Sequence, residues 1–481
     1  MNVLLWDTRQ LDVSKDFAGG FGIGMYRGPG GPRDAIVRWF YRRDRRPAAL
    51  LFAHLAAVFA RLGHRVKYLV DQPPPTRSTG CPADLYVFNP SLITLDLERR
   101  VIARLLAEEP QARVLVVGTT ASMLPQEFEG LGVTVVQGEA EQLLWRLDEV
   151  LDGHHVPMVA GGKVQLGVIE DLDRLPLPDW SPLGPSRFRI GYDFWRFPTG
   201  LIQASRGCRF KCNYCPYLVL DNSTRFRDPD AVVDEIRHGI RRWGFQSFKF
   251  RDPLFGLSRE RTARIIEQIA RLPRKIQFSI ESRIELLPPE TLRMMKRAGL
   301  TSVTVGIETP SDPTLQKYCR QAIDKDRQQA FIATCRELGI RTVAGFLIGF
   351  PEDTEQSIRR VRDYAIALGP TFANFNVVTP YPGTPFFEHM RDRLDGLDYS
   401  RFNVYTPLLK YDHLTPERIE WLLAKCFRRY YFRWQYLREN AALVWPGLQR
   451  LGFGAKPRCE LPAHTADGGV PKPAAELQIL Q

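Results

Sequence analysis

Cys208, Cys212 and Cys215 lie in the run Gly207-Cys208-Arg209-Phe210-Lys211-Cys212-Asn213-Tyr214-Cys215-Pro216, a C-x3-C-x2-C triplet with an aromatic residue directly before the last cysteine. Three thiolates on one short loop can ligate three irons of a [4Fe-4S] cluster, one fewer than the four cysteines of the usual electron-transfer cluster. One iron is then left open to a small ligand. Zinc is the plainer reading of nearby cysteines, but a structural zinc wants four ligands in paired clusters, and no second His or Cys pair stands near the triplet.

An open iron can chelate the amino and carboxylate groups of S-adenosylmethionine (SAM), pass it an electron and break its C5′–S bond, giving a 5′-deoxyadenosyl radical. The triplet resembles the signature of the radical SAM superfamily. Later runs resemble its landmarks in order: Val305-Gly306-Ile307-Glu308 a strand-end Gly-Ile-Glu element, Gly349-Phe350-Pro351-Glu352-Asp353-Thr354 a Gly-Leu-Pro-Gly-Glu-Thr loop without its second glycine, and Tyr381-Pro382-Gly383-Thr384-Pro385 a Pro-Gly-Thr turn. The resemblance covers residues 1 to about 390.

What it implies is a [4Fe-4S] cluster on Cys208, Cys212 and Cys215 with SAM beside it. Tyr214 resembles the aromatic residue whose backbone helps hold adenine. Asp252 stands where the family places groups near the SAM amino end, and a carboxylate suits an ammonium there. Glu281 and Arg283 alternate to one strand face, so both can point toward ribose hydroxyls and the SAM carboxylate. Glu308 is a similar strand-end candidate. For Asp252, Glu281, Arg283 and Glu308 the competing reading is an ion pair inside the barrel.

Elements that would position these residues are legible from periodicity. Short apolar strands at 2–6, 65–70, 84–88 and 113–117 alternate with helical patterns at 47–62 and 96–108, which predicts a parallel, doubly wound sheet. Ligands of such sheets sit outside the carboxyl ends of the strands, here at 118–122 and 132–141. Residues 1–150 resemble the cobalamin-binding-type domain that precedes many radical SAM barrels. They lack the D-x-H-x-x-G run that ligates cobalt from below; Asp152-Gly153-His154-His155 comes nearest, ends in Pro157, and reads as linker. Cobalamin is therefore left open. The glycine-rich stretch 19–31 reads as a long loop folding over a ligand at the domain interface, not as a phosphate cradle.

A proline-bearing linker over 151–195 leads to six strands, near 200–205, 247–250, 277–283, 302–306, 341–349 and 373–378, which predict a partial (β/α)6 barrel over 196–390 with the cysteine loop at the end of its first strand. A helical region over 391–454 follows, with an aromatic-basic helix at 416–438 expected to pack on the barrel. The last stretch, 455–481, reads as a disordered tail. The fold class expected is α/β.

A net charge of +12 and a pI near 9.4 raise the question of nucleic acid, but 66 basic residues are scattered among 54 acidic ones with no long basic tract, which argues against it. No apolar run approaches the ~20 residues needed to span a bilayer, and the start lacks a signal-peptide pattern, so no membrane and a cytoplasmic location are expected. Cys81, Cys319, Cys335, Cys426 and Cys459 share no spacing and read as ordinary buried thiols.

The resemblance leaves two reactions open on a small-molecule substrate. The commonest outcome for this domain order is cobalamin-dependent C-methylation. A branch without cobalamin dehydrates a 1,2-diol of a paromamine-like aminosugar in aminoglycoside antibiotic biosynthesis, working with a separate reductase that acts on the product. The compact first domain, the missing histidine motif and the arginine-rich composition point to the dehydratase. Its chemistry needs an acid near the sugar, and Tyr217 is the candidate donor, with plain packing as its alternative. A flavodoxin- or ferredoxin-type protein is the expected reductant. A catalytically silent cluster scaffold is a third reading, against which the intact triplet and the SAM-site runs speak.

Overall fold

The computed structural model describes residues 1–8, 13–15, 17–24, 26, 28, 45–46, 49–71, 83–152, 158–159, 162–220 and 223–441. His154, His155, Cys81, Cys459, the far part of the glycine-rich stretch and the tail 455–481 lie outside them. The described chain divides into a unit over Met1–Arg433 and a second unit from Trp434, of which one short helix, Trp434–Glu439, is described.

The first sheet forms because its central strands are short apolar runs buried on both faces, as parallel strands covered by helices must be. Val3, Leu4, Leu5 and Trp6, and all of Leu85–Phe88, are buried. Strand order across the sheet is Arg65–Asp71, Asn2–Thr8, Leu85–Phe88, Arg113–Val116, Thr134–Gly138, Lys163–Gly167 and Met158–Val159, parallel until the last pair, which is antiparallel. Its first five strands have the 2-1-3-4-5 order of a doubly wound sheet, which puts a ligand crevice beyond their carboxyl ends. Two corrections to the sequence reading follow. Thr134–Gly138 is itself a strand, and the sheet runs on to Gly167, so residues 151–195 are not connector throughout.

The second sheet has six parallel strands in sequential order, Thr199–Ile202, Ser247–Phe250, Gln277–Ser282, Leu300–Glu308, Arg341–Ile348 and Phe372–Val377, with helices between them. This is the partial (β/α)6 barrel that the spacing predicts. Local chemistry sets the helix ends: Asp228 accepts from the Asp230 N–H, Pro229 opens the helix Pro229–Trp243, and Gly244 closes it in the left-handed region. Thr354 and Ser357 cap Glu355–Leu368 reciprocally.

Burial alternates along the last three strands. One face, with Phe346 stacked on Phe375 at 5.4 Å, packs outward, and Phe375 meets Phe427 of the helix Pro416–Tyr431. The other face presents Thr304, Gly306, Glu308, Gly345, Leu347, Asn374 and Asn376, half-buried, to the lumen. The predicted helix at 416–438 is thus two helices, the first docked on the sixth strand through Tyr431, whose hydroxyl donates to the Ala373 carbonyl at 2.9 Å. Tyr381, Phe387, Phe402 and Leu408 share one core with Leu4, Trp6, Phe21 and Phe88, so the two sheets are parts of one packed body. Cys335 and Cys426 are buried as expected, whereas Cys319 is exposed at a left-handed turn after Tyr318. Among the described residues no helix is long and apolar enough to cross a membrane.

Candidate active site

The cysteine loop leaves the first barrel strand and is closed at its base by a two-residue antiparallel ladder, Ser205–Arg206 against Arg225–Phe226. Gly207, at φ +78°, is required there, because a Cβ would fall 1.8 Å from the Ser223 carbonyl oxygen. Asp252 fixes the start of the loop. Strand register sets Ile202 beside Phe250, so residue 252 emerges beside residue 204, and the Asp252 carboxylate accepts from the Ala204 N–H at 3.0 and 3.1 Å and the Ser205 hydroxyl at 2.6 Å. The tip is held by the Asn213 N–H on the Tyr318 carbonyl and by the Phe386 N–H on the Asn213 carbonyl.

Cys208 and Cys212 are buried and Cys215 is half-buried. Burial pushes the Cys208 thiol up and the Cys215 thiol up to about 12, which is the cost of a thiolate without its countercharge. Two arginines oppose that cost at Cys208: Arg283, stacked over Phe210 at 4.3 Å, and Arg320. Arg320 also points an Nη1–H at Cys212 Sγ, 3.9 Å away, donates through Nη2 to the Gly306 carbonyl at 2.6 Å, and pairs with Glu308 at 3.2 Å. Nothing in the sequence marked Arg320; it comes from another loop, 108 residues beyond Cys212. Among the described residues no three His, Cys, Asp or Glu side chains gather closely enough to share one metal ion.

The sequence-derived SAM residues divide into two groups. Glu308, at φ +66°, Gly306 and Gly345 meet at the lumen, where Gly306 and Gly345 are in register and a Cβ on Gly345 would stand almost in open space. Asn376, with a buried carbonyl oxygen lacking a partner, lies on the same face. Tyr214 packs edge-on to Phe350 at 6.4 Å, beside the Tyr318–Phe350 stack at 4.6 Å. These residues fit a planar, hydrogen-bonding group such as adenosine. Arg283 keeps one Nη1 without a partner while Nη2 donates to the Gln321 carbonyl and Nε to Glu285. Asp252 and Glu281 differ. Asp252, 1% exposed, spends both oxygens on the cluster loop, and Glu281 is ion-paired with Arg251 and lies 3.6 Å from Lys249, whose ammonium is in turn 2.8 Å from buried Asp193. For both, the structure supplies the competing reading, an ion pair or hydrogen-bonded anchor.

Tyr217 lies past the loop at the wall of a cavity of about 210 Å³ between the first sheet's strand ends and the barrel. The Gly19 N–H donates to its phenolic oxygen, and burial pushes that phenol up to about 12. Across the cavity, Glu139 takes Arg225 in a bidentate pair at 2.9 and 3.0 Å and Arg206 at 3.3 Å, while Glu141 takes Arg206 at 2.7 Å. His54 also lines it. Burial first, then Arg206 and Arg227, hold this imidazole well below its usual pKa, so it is neutral.

Residues 202–365 match the family model of the radical SAM superfamily. That stretch holds the cysteine loop and most of the barrel just described, and a radical SAM domain implies a [4Fe-4S] cluster and SAM as its cofactors. The chain is similar to an uncharacterized methyltransferase of Pyrococcus horikoshii, 26% identical over 313 residues, 62% of this chain and 67% of that protein. It is similar also to an anaerobic magnesium-protoporphyrin IX monomethyl ester cyclase of Cereibacter sphaeroides, 27% identical over 321 residues, 62% of this chain and about half, 51%, of the cyclase. Among solved structures, the cobalamin-dependent SAM radical enzyme OxsB, with aqua-cobalamin and SAM bound, superposes with a TM-score of 0.66 at 15% identity, over 95% of this chain and 69% of OxsB. At that identity the likeness is one of fold.

The space at the strand ends is lined by the Gly19–Gly20 turn, by His54 and by the paired Arg206, Arg225, Glu139 and Glu141. Thr119 fastens that turn through a hydrogen bond from its hydroxyl to the Gly19 carbonyl at 2.5 Å.

Two outcomes test these assignments. Asp252→Asn should cost the loop about 1–3 kcal/mol and lower iron content after anaerobic reconstitution, while the loaded fraction keeps its SAM affinity within about twofold; a tenfold loss of SAM affinity at full iron content would give Asp252 a direct contact instead. For His54 the sign is that of a base whose folded pKa is depressed. Its contribution to stability is whole above the unfolded value of about 6.5 and is lost as pH falls below it. The thermal midpoint should therefore drop between pH 7 and 5.5, and His54→Gln should flatten that slope.

Proposed function

We propose that this enzyme takes a hydrogen atom from carbon in a small-molecule substrate and that the substrate radical then receives a methyl group that originates in SAM, for which cobalamin would be the carrier. The three-cysteine loop at the mouth of the six-stranded barrel carries the first half. The names of the relatives support the second: the Pyrococcus protein is a methyltransferase, several further relatives are methyltransferases or methylases, and none of those cited is a dehydratase. The cluster and SAM, when bound, supply the 5′-deoxyadenosyl radical. The chain's part is to hold the loop through Asp252 and the ladder at its base, to set Arg283 and Arg320 against the cluster's negative charge, and to keep solvent from the lumen with the aromatic group of Tyr214, Tyr318 and Phe350. A flavodoxin- or ferredoxin-type protein would deliver the electron.

Aminosugar diol dehydration is a second reading, and one specific observation favours it: Tyr217 lines the cavity beside the cluster loop as a phenol that burial keeps protonated at neutral pH. In that reaction Tyr217 would donate to the departing hydroxyl, and a separate reductase would act on the product. The two readings part in the product. With reconstituted enzyme, SAM and a chemical reductant, a methylase forms S-adenosylhomocysteine along with 5′-deoxyadenosine and a product heavier by one CH2. A dehydratase forms 5′-deoxyadenosine alone and a product lighter by one water. Mass spectrometry of the turnover mixture should show the former; 5′-deoxyadenosine without S-adenosylhomocysteine, with loss of water, would replace methylation by dehydration.

A further inference from the structure

Strained backbone places Arg320. Of the four non-glycine residues at positive φ among the described residues, two are Glu308, its ion-pair partner, and Cys319, the residue before it. Left-handed backbone is costly for a residue with a Cβ and persists where the surroundings fix it, most often at functional sites. At Glu308 the strand Leu300–Glu308 slips register against Arg341–Ile348, and such a bulge re-aims a side chain. The Glu308 carboxylate folds back over Gly306, where a Cβ would collide with its Oε1 and stand 3.0 Å from Arg320 Nη2. On the other side the Tyr318 carbonyl takes the Asn213 N–H at 3.3 Å, so the turn that carries Arg320 also clasps the cysteine loop one residue past Cys212. The guanidinium is thus fixed between a carboxylate and a sulfur, with Nη2 3.2 Å from Glu308 and Nη1 3.9 Å from Cys212 Sγ, and the two side chains of the ion pair are only 10% and 12% exposed.

We propose that Arg320 is a positioning residue that raises the reduction potential of the cluster through Cys212, and that Glu308 holds this effect back. The proposal rests on the radical SAM reading above. The donor set fits such a cluster: the three thiols do not gather closely enough to share one ion, and a cluster takes each cysteine on a different iron. Reduction adds one negative charge to the cluster. A cation with an N–H aimed at a cluster sulfur favours the reduced state, and a carboxylate close behind that cation opposes it. The two side chains therefore act on the potential with opposite signs, and together they decide how readily a flavodoxin- or ferredoxin-type donor can load the cluster.

The test uses the full chain, reconstituted anaerobically and titrated potentiometrically with dithionite, the reduced cluster being counted by electron paramagnetic resonance. One electron passes from dithionite to the cluster, and no bond in the protein forms or breaks. SAM is left out, which keeps any part that Glu308 has in holding it out of the result. At the wild-type midpoint the reduced-to-oxidised ratio should fall threefold or more in Arg320→Met, about 28 mV at 59 mV per tenfold for a one-electron couple. It should rise threefold or more in Glu308→Gln. Arg320→Lys keeps the charge without the planar fork and should lie between wild type and Arg320→Met. Iron content and the thermal midpoint report loading and folding; should Arg320→Met hold no iron, Arg320→Lys and Glu308→Gln carry the test with the same signs. A smaller shift, or one of opposite sign, in iron-loaded Arg320→Met or Glu308→Gln would overturn the proposal. A wild-type protein that forms no four-iron cluster would instead remove the radical SAM reading beneath it, so the two fail separately.

Discussion

Arg206 and Arg225 face each other across the ladder that closes the cysteine loop, and two guanidinium groups can be neighbours there only because Glu139 accepts from both. Like charges directly opposite on a ladder repel, and a buried cation without a partner is strongly destabilising. Glu141 completes the neutralisation at Arg206, and the Ile169 backbone joins it by giving its N–H to Glu139 and its carbonyl to Arg225. The base of the loop that carries the chemistry is therefore set by carboxylates from a different sheet. This gives the first domain a task in the catalytic fold besides any cofactor it holds.

The same logic recurs at the tip. A three-thiolate cluster brings negative charge into a buried loop, and the chain meets it with Arg283 and Arg320, each anchored by its own carboxylate, Glu285 and Glu308. Hydrogen bonds and positive charge at cluster sulfurs are levers on reduction potential, so the Arg320 contact to Cys212 would stabilise the loaded loop and ease reduction of a bound cluster. The left-handed turn at Cys319 and the positive φ of Glu308 are the backbone deviations that bring Arg320 there.

How much was legible follows from distance along the chain. The triplet, the six strands and their order could be read because each is a local spacing. Asp252 was legible as a residue at the right strand end but not in its orientation, which depends on the register of two strands that sequence alone does not fix. Arg206 and Glu141 are 65 residues apart and Arg225 and Glu139 are 86 apart, so nothing in either neighbourhood announces the pairing. His54 sits in a helix whose apolar periodicity invites a core assignment, and only the cavity shows that no partner reaches it. Thr134–Gly138 was missed because glycines at 132 and 138 read as punctuation and hid the short apolar strand between them. The preference for dehydration over methylation came from the absent histidine motif and from composition, features that bear on the cofactor more than on the reaction; the relatives lean the other way.

The central claim is that three protein thiolates hold a four-iron cluster whose remaining iron is open to SAM. Electron paramagnetic resonance of the anaerobically reconstituted, reduced protein, with and without SAM, addresses it most directly. The account predicts the signal of a reduced [4Fe-4S] cluster whose g values shift when SAM is added. A cluster signal that SAM leaves unchanged, or a reconstituted protein that holds zinc and no iron, would contradict it.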